Sequence, residues 1–170
     1  MIPDPLHPAI VHFPIVFAVL LPLVAIGALW MIRRGASARR AWLLPVALAG
    51  ALALSAFVAV QTGKAQEERV EDAVGKPPLE SHEESAELFL VLSGVLLVVA
   101  GVGLVPGVTG RAARIVATLG ALGVLGAGYN VGRSGGDLVY RHGAASVYTD
   151  QTRPGETVGT RAAPQHEEVE

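Results

Sequence analysis

Four stretches of the chain are long and empty of charge, and this limits the folds open to it more than any other feature. Residues 9–32 read AIVHFPIVFAVLLPLVAIGALWMI, and no Asp, Glu, Lys or Arg stands between Asp4 and Arg33. Residues 41–63 (AWLLPVALAGALALSAFVAVQTG), 88–110 (LFLVLSGVLLVVAGVGLVPGVTG) and 115–132 (IVATLGALGVLGAGYNVG) follow the same pattern. An α-helix rises about 1.5 Å per residue, so about 20 residues cross a hydrocarbon layer about 30 Å thick. The expectation is therefore an all-α protein, an integral membrane four-helix bundle with helices over about 9–32, 41–63, 84–108 and 112–132.

Composition supports this reading. Of the 170 residues, 51% are hydrophobic and 16% charged, whereas a soluble domain carries about a quarter charged. A soluble enzyme is disfavoured. The chain has no Cys, which removes disulfides, thiolate nucleophiles, iron–sulfur clusters and zinc–cysteine sites. Metal or cofactor chemistry falls to His, carboxylates or backbone.

The first apolar stretch differs from a secretory signal peptide, which begins with basic residues and ends in a small-residue cleavage site. Here it follows MIPDPLHP and ends in Trp30-Met31, so it is read as a retained helix. Pro14, Pro22 and Pro45 are expected to kink their helices without ending them, because membrane helices tolerate proline where neighbours re-satisfy the freed carbonyls.

The short connections set an orientation. RRGASARR joins the first two helices and RAAR the last two, giving Arg33, Arg34, Arg39, Arg40, Arg111 and Arg114 with no acid among them. By the positive-inside rule this end faces the cytoplasm and both termini face out. All 15 acidic residues fall on the other side. The outer loop has an acidic segment, residues 66–74, expected to form a short helix ended by Gly75 and Pro77-Pro78. Ser81 and Glu84 have the spacing of a capping box, which places the start of the third helix at His82. The glycines of the fourth helix are read as close-packing positions. Residues 150–170 are expected to form a disordered polar tail.

Histidines carry the functional expectation. His7, His12, His82 and His142 all fall at or just beyond the outer helix ends, with His166 in the tail. His12 falls about one turn into the first helix, where a polar ring needs a partner, and ionisable groups at membrane depth are functional candidates. Neutral imidazoles bind transition metals and the axial positions of haem iron. A bis-His b-type haem needs no cysteine and suits apolar helices, and Arg133 and Arg141 are placed to pair with its propionates. The competing site is a transition-metal ion on His12, His82, His142 and His7 with Glu83 or Glu84, although no H-E-x-x-H or similar ligand spacing is present. The third alternative makes these histidines hydrogen-bond partners at helix ends and leaves the chain without a cofactor.

LHPAIVHFPIVF (residues 6–17), the His82 region and GGDLVYRHGAASV (residues 135–147) resemble the bacterial four-helix membrane proteins of domain-of-unknown-function family 2231, over about residues 1–149. Neither the H-P-x-x-V-H-F-P string nor the L-V-Y-x-H-G string is dictated by hydrophobicity. The resemblance implies a bacterial inner (plasma) membrane protein. Its motif positions fall on His7, Pro8, His12, Pro14, His82, Gly136, Tyr140, His142 and Gly143. Because similar modules occur beside cytochrome c domains, it also favours a redox or haem association. Tyr140 and Gly143 are expected to form a turn that folds His142 back onto the bundle, with a short strand or hairpin within DLVYRHGAASVY.

Two function classes follow. One is a haem- or metal-binding electron-transfer protein served by an extracytoplasmic cytochrome or other redox protein. The other is a non-catalytic assembly subunit whose acidic outer face docks a partner. Small-molecule transport ranks lower, since no charge falls inside the four expected spans, and no constellation of catalytic residues is present.

Overall fold

The computed structural model describes residues 6–146. In chain order its helices are α1 (His7–Ile10), α2 (His12–Arg33), α3 (Ala38–Lys64), α4 (Glu67–Val74), α5 (Lys76–Val102) and α6 (Gly107–Tyr140). Among the described residues there is no strand. Four helical segments, His7–Arg33, Ala38–Lys64, Lys76–Val102 and Gly107–Tyr140, are long and apolar enough to cross a membrane. The first contains a one-residue interruption at Val11. Pro14 supplies no N–H for the Ile10 carbonyl, and the ladder is broken where that bond is missing. Pro22 and Pro45 lie inside continuous helices and are buried.

The bundle is built inside out relative to a soluble protein. Its buried seam is rich in alanine: Ala18, Ala25, Ala49, Ala56, Ala100 and Ala121 are each at most 2% exposed. Larger apolar side chains, among them Leu23, Leu54, Val98 and Leu119, point outward and are more than 60% exposed. Lipid tails solvate leucine as well as a protein core does, so membrane helices associate through small residues that permit close approach.

Among the four long helices each packs chiefly on two others: α2 on α3 and α6, and α5 on α3 and α6. The two hairpins repeat one pattern. Buried Pro14, Ala18, Leu21 and Ala25 of α2 stand at i, i+4, i+7 and i+11, and so do buried Phe89, Ser93, Leu96 and Ala100 of α5. Trp42, Pro45, Ala49 and Leu52 of α3 match Arg114, Ala117, Ala121 and Val124 of α6 in the same way. The two hairpins thus bury residues at the same spacings.

Gly35, with φ +98°, ends α2. The Ala36 amide bonds back to the Met31 carbonyl at 3.0 Å, closing a Schellman turn that only a residue at ease with positive φ permits. Gly75, at φ +80°, separates α4 from α5, as expected.

The third and fourth long helices differ from the sequence reading. α5 begins at Lys76, with prolines in its first turn where a missing N–H costs nothing. Ser81 and Glu84 are therefore interior, and Ser81 caps nothing; its carbonyl accepts from Ser85 Oγ at 2.9 Å. α5 ends at Val102, short of residue 108. α6 starts at Gly107 and runs through Gly132, Gly135 and Gly136 to Tyr140, replacing the expected strand. The extension is held by packing, since Leu138 is buried with Leu79 and Ala144. Because α6 starts early, Arg111 and Arg114 lie within it, and Arg114 is only 7% exposed. The expectation of charge-free spans is thus corrected at this residue. The proposed tail, residues 150–170, and His166 lie outside the described residues.

Candidate paired-histidine site

At the end of the bundle opposite the arginine connections, the α1 and α5 histidines lean on the helix that follows each in its own hairpin. His7 Nδ1 lies 2.9 Å from the Ala59 carbonyl oxygen and 3.2 Å from Thr62 Oγ1, both on α3. A carbonyl only accepts, so Nδ1 carries the proton and Nε2 keeps its lone pair in the neutral ring. The Thr62 hydroxyl itself donates back to the Val58 or Ala59 carbonyl, each 3.0 Å away.

His82 repeats the arrangement. Its Nδ1 lies 2.8 Å from Ser134 Oγ on α6, and Ser134 donates its single proton to the Val131 carbonyl at 3.0 Å. The serine oxygen is then the acceptor, and His82 also has Nδ1 protonated and Nε2 open. A glycine follows each hydroxyl residue, and each ring lies flush against it. A Cβ at Gly63 would stand 3.2 Å from His7 Cε1, and one at Gly135 would stand 3.1 Å from His82 Cε1. Both rings are half-buried.

Of the histidines expected at this end, these two are held in the same way, each on the helix of its own hairpin, and the others are not. His12, expected to be a polar ring at membrane depth in need of a partner, is exposed at the start of α2, and its side chain makes no hydrogen bond among the described residues. His142 is exposed beyond the end of α6. The turn expected to fold it inward exists, with Gly143 at φ +73°, but the residue it returns to the bundle is Ala144. The Ala144 amide bonds to the Leu138 carbonyl at 3.0 Å, and its side chain is 7% exposed. Arg141 pairs with Asp137 at 3.2 Å, and Arg133 is exposed. Glu84 is exposed and Glu83 half-buried. Among the described residues, no group of three or more His, Cys, Asp or Glu is placed to hold a metal ion.

Sequence reasoning missed Thr62-Gly63 and Ser134-Gly135. The signal was a hydroxyl residue followed by glycine at the histidine end of both second helices, visible once the two hairpins are set side by side. The glycine-rich helix is also only partly a packing device. Cβ atoms at Gly120 and Gly128 would press on Leu96 at 3.3 Å and Phe89 at 3.1 Å, whereas Gly123, Gly126 and Gly132 face open space.

Neither the curated proteins nor the solved structures offer a match to this chain. The family described as "Predicted membrane protein (DUF2231)" matches residues 3–147, which takes in all four long helices and both histidines of the pair. With that coverage, the chain belongs to the DUF2231 family of membrane proteins.

Proposed function

We propose that this chain is a multi-pass protein of the bacterial inner membrane, with both termini outside, that holds a redox-active metal centre on His7 and His82. The observation that carries the reading is the matched pair of imidazoles, each tied through Nδ1–H and each with a free Nε2 lone pair. Metal-ligating histidines are commonly oriented in this way, by a hydrogen bond from the second nitrogen. Two protein ligands are too few for a bare ion site, which takes four or more donors. They are the number that haem iron takes when the porphyrin supplies the other four. Haem b is therefore the occupant favoured here, and a transition-metal ion is the alternative. Bound there, the group would supply one-electron transfer.

The one cavity described within the helix seam is too small for such a group. The cavity lined by Leu21, Trp42, Pro45 and Leu96 measures about 10 Å³, about the space of one water. A porphyrin belongs at the histidine end, where exposed Arg133 is available to its propionates and the acidic helix α4 offers docking to an extracytoplasmic cytochrome. That acidic surface also supports the second reading, a non-catalytic assembly subunit with structural histidines.

Protein purified in detergent after expression with ample haem supply should show a sharp Soret band with resolved reduced bands. His7→Ala and His82→Ala should each abolish it, and His12→Ala and His142→Ala should retain it. A folded protein with neither haem nor metal, by absorption and elemental analysis, overturns the redox reading and leaves the assembly reading.

A further inference from the structure

The other end of the bundle contains a cleft of about 590 Å³ formed by the first turn of α3 (Ala38, Arg39), the turn before α6 (Leu104–Pro106) and the first turns of α6 (Gly107, Arg114). Arg114 is its unusual member. The side chain is 7% exposed, and Nη1 donates to the Gly103 carbonyl, which caps the end of α5. That bond uses one of five N–H groups. The guanidinium makes no other hydrogen bond or ion pair among the described residues, whose three ion pairs all lie at the histidine end. Arg114 lines the cleft and none of its side-chain nitrogens is both buried and without a partner, so its remaining donors are not sealed in the bundle.

Its surroundings add positive potential. The guanidinium folds back over Gly110, where a Cβ would lie 3.4 Å from Nη1. It thus runs toward the start of its own helix, the end that already carries the positive pole of the macrodipole. Pro106, the residue before α6, offers no side-chain cap, and the first turn holds no acid. The same is true of Ser37 and the first turn of α3. Two uncapped helix starts and two arginines therefore converge, and neither residues 33–40 nor residues 103–114 contain an Asp or Glu. A guanidinium with spare donors and no counter-charge beside two helix starts is a combination that attracts phosphate.

We infer that the cleft between the α3 and α6 helix starts binds an anionic phosphate group through Arg114, Arg39 and the α6 amides. The rest of the lining, Leu104, Val105 and Pro106, is apolar and suits a phosphate attached to an acyl glycerol. An acidic phospholipid headgroup and a soluble phosphate share this chemistry.

The test uses the full chain in nanodiscs or detergent, with lipid retention followed by native mass spectrometry. One phosphatidylglycerol should be retained per chain and phosphatidylcholine should not. Arg114→Gln and Arg39→Gln should each weaken retention at least tenfold, while Arg33→Gln, outside the cleft, leaves it unchanged. Arg39 is exposed, so its variant keeps the test sound if Arg114→Gln misfolds. Competition by millimolar inorganic phosphate assigns the site to a soluble ligand, and retention despite it assigns the site to lipid. Equal retention of phosphatidylcholine, or equal loss from Arg33→Gln, overturns the inference by reducing it to general surface attraction. Undiminished retention in Arg39→Gln and Arg114→Gln overturns it outright.

Discussion

A histidine becomes a ligand through its neighbours, and here the neighbours are small. Ser134 and the Ala59 carbonyl fix the proton on Nδ1, and Gly135 and Gly63 let the rings lie flat. Ser134→Ala removes the one hydrogen-bond partner that the His82 ring has among the described residues, and loss of such a partner lowers metal affinity about 10- to 100-fold. Titration of purified protein with haem or a divalent transition metal should show that loss, with recovery in Ser134→Thr and unchanged helical circular dichroism in both. Equal affinity in Ser134→Ala would separate the hydroxyl from the site. At this scale the sequence was half legible. Histidines stand out in an apolar chain, but which of them turn inward depends on helix rotation. His12 follows His7 by five residues and so lies on a different face, and nothing in composition distinguishes an imidazole over a glycine from one facing outward.

At the scale of the helices, the apolar runs located all four spans, because charge-free length is a property of sequence alone. The ends were misplaced for a tertiary reason. Gly132, Gly135 and Gly136 weaken a helix in isolation, yet α6 continues through them because Leu138 is buried against Leu79 and the His82 ring needs Gly135 beneath it. The arginine end shows the same dependence on packing. Trp42, fully buried, donates from Nε1 to the Ala100 carbonyl at 2.9 Å, and the indole lies where a Cβ on Gly103 would be. Gly103→Ala should therefore destabilise the bundle by about 1–3 kcal/mol, the usual cost of overpacking. Gly123→Ala, in open space, should be neutral or stabilise by up to about 1 kcal/mol through helix propensity. Denaturant titration in mixed micelles, followed by circular dichroism, compares them directly. If the two variants were equally stable, the indole would not be what holds α3 against α5.

The whole molecule is polarised. Six arginines without an acid occupy one end, and every Asp and Glu among the described residues lies toward the other. The positive-inside rule reads arginines close to the membrane in short connections, and the α2–α3 connection is of that kind, from Arg34 to Ser37 between two spans. In the orientation we propose, the paired histidines face outside and the arginine cleft faces the cytoplasm. The absence of native cysteine makes the orientation directly measurable. Ser37→Cys and Asp72→Cys each place one thiol at an exposed position, the first at the arginine end and the second on α4. On intact spheroplasts a membrane-impermeant maleimide should label Asp72→Cys and spare Ser37→Cys until the membrane is opened with detergent. The reverse pattern would put the histidines in the cytoplasm, where an extracytoplasmic cytochrome has no access to them. The redox partner would then have to be sought among soluble cytoplasmic reductants.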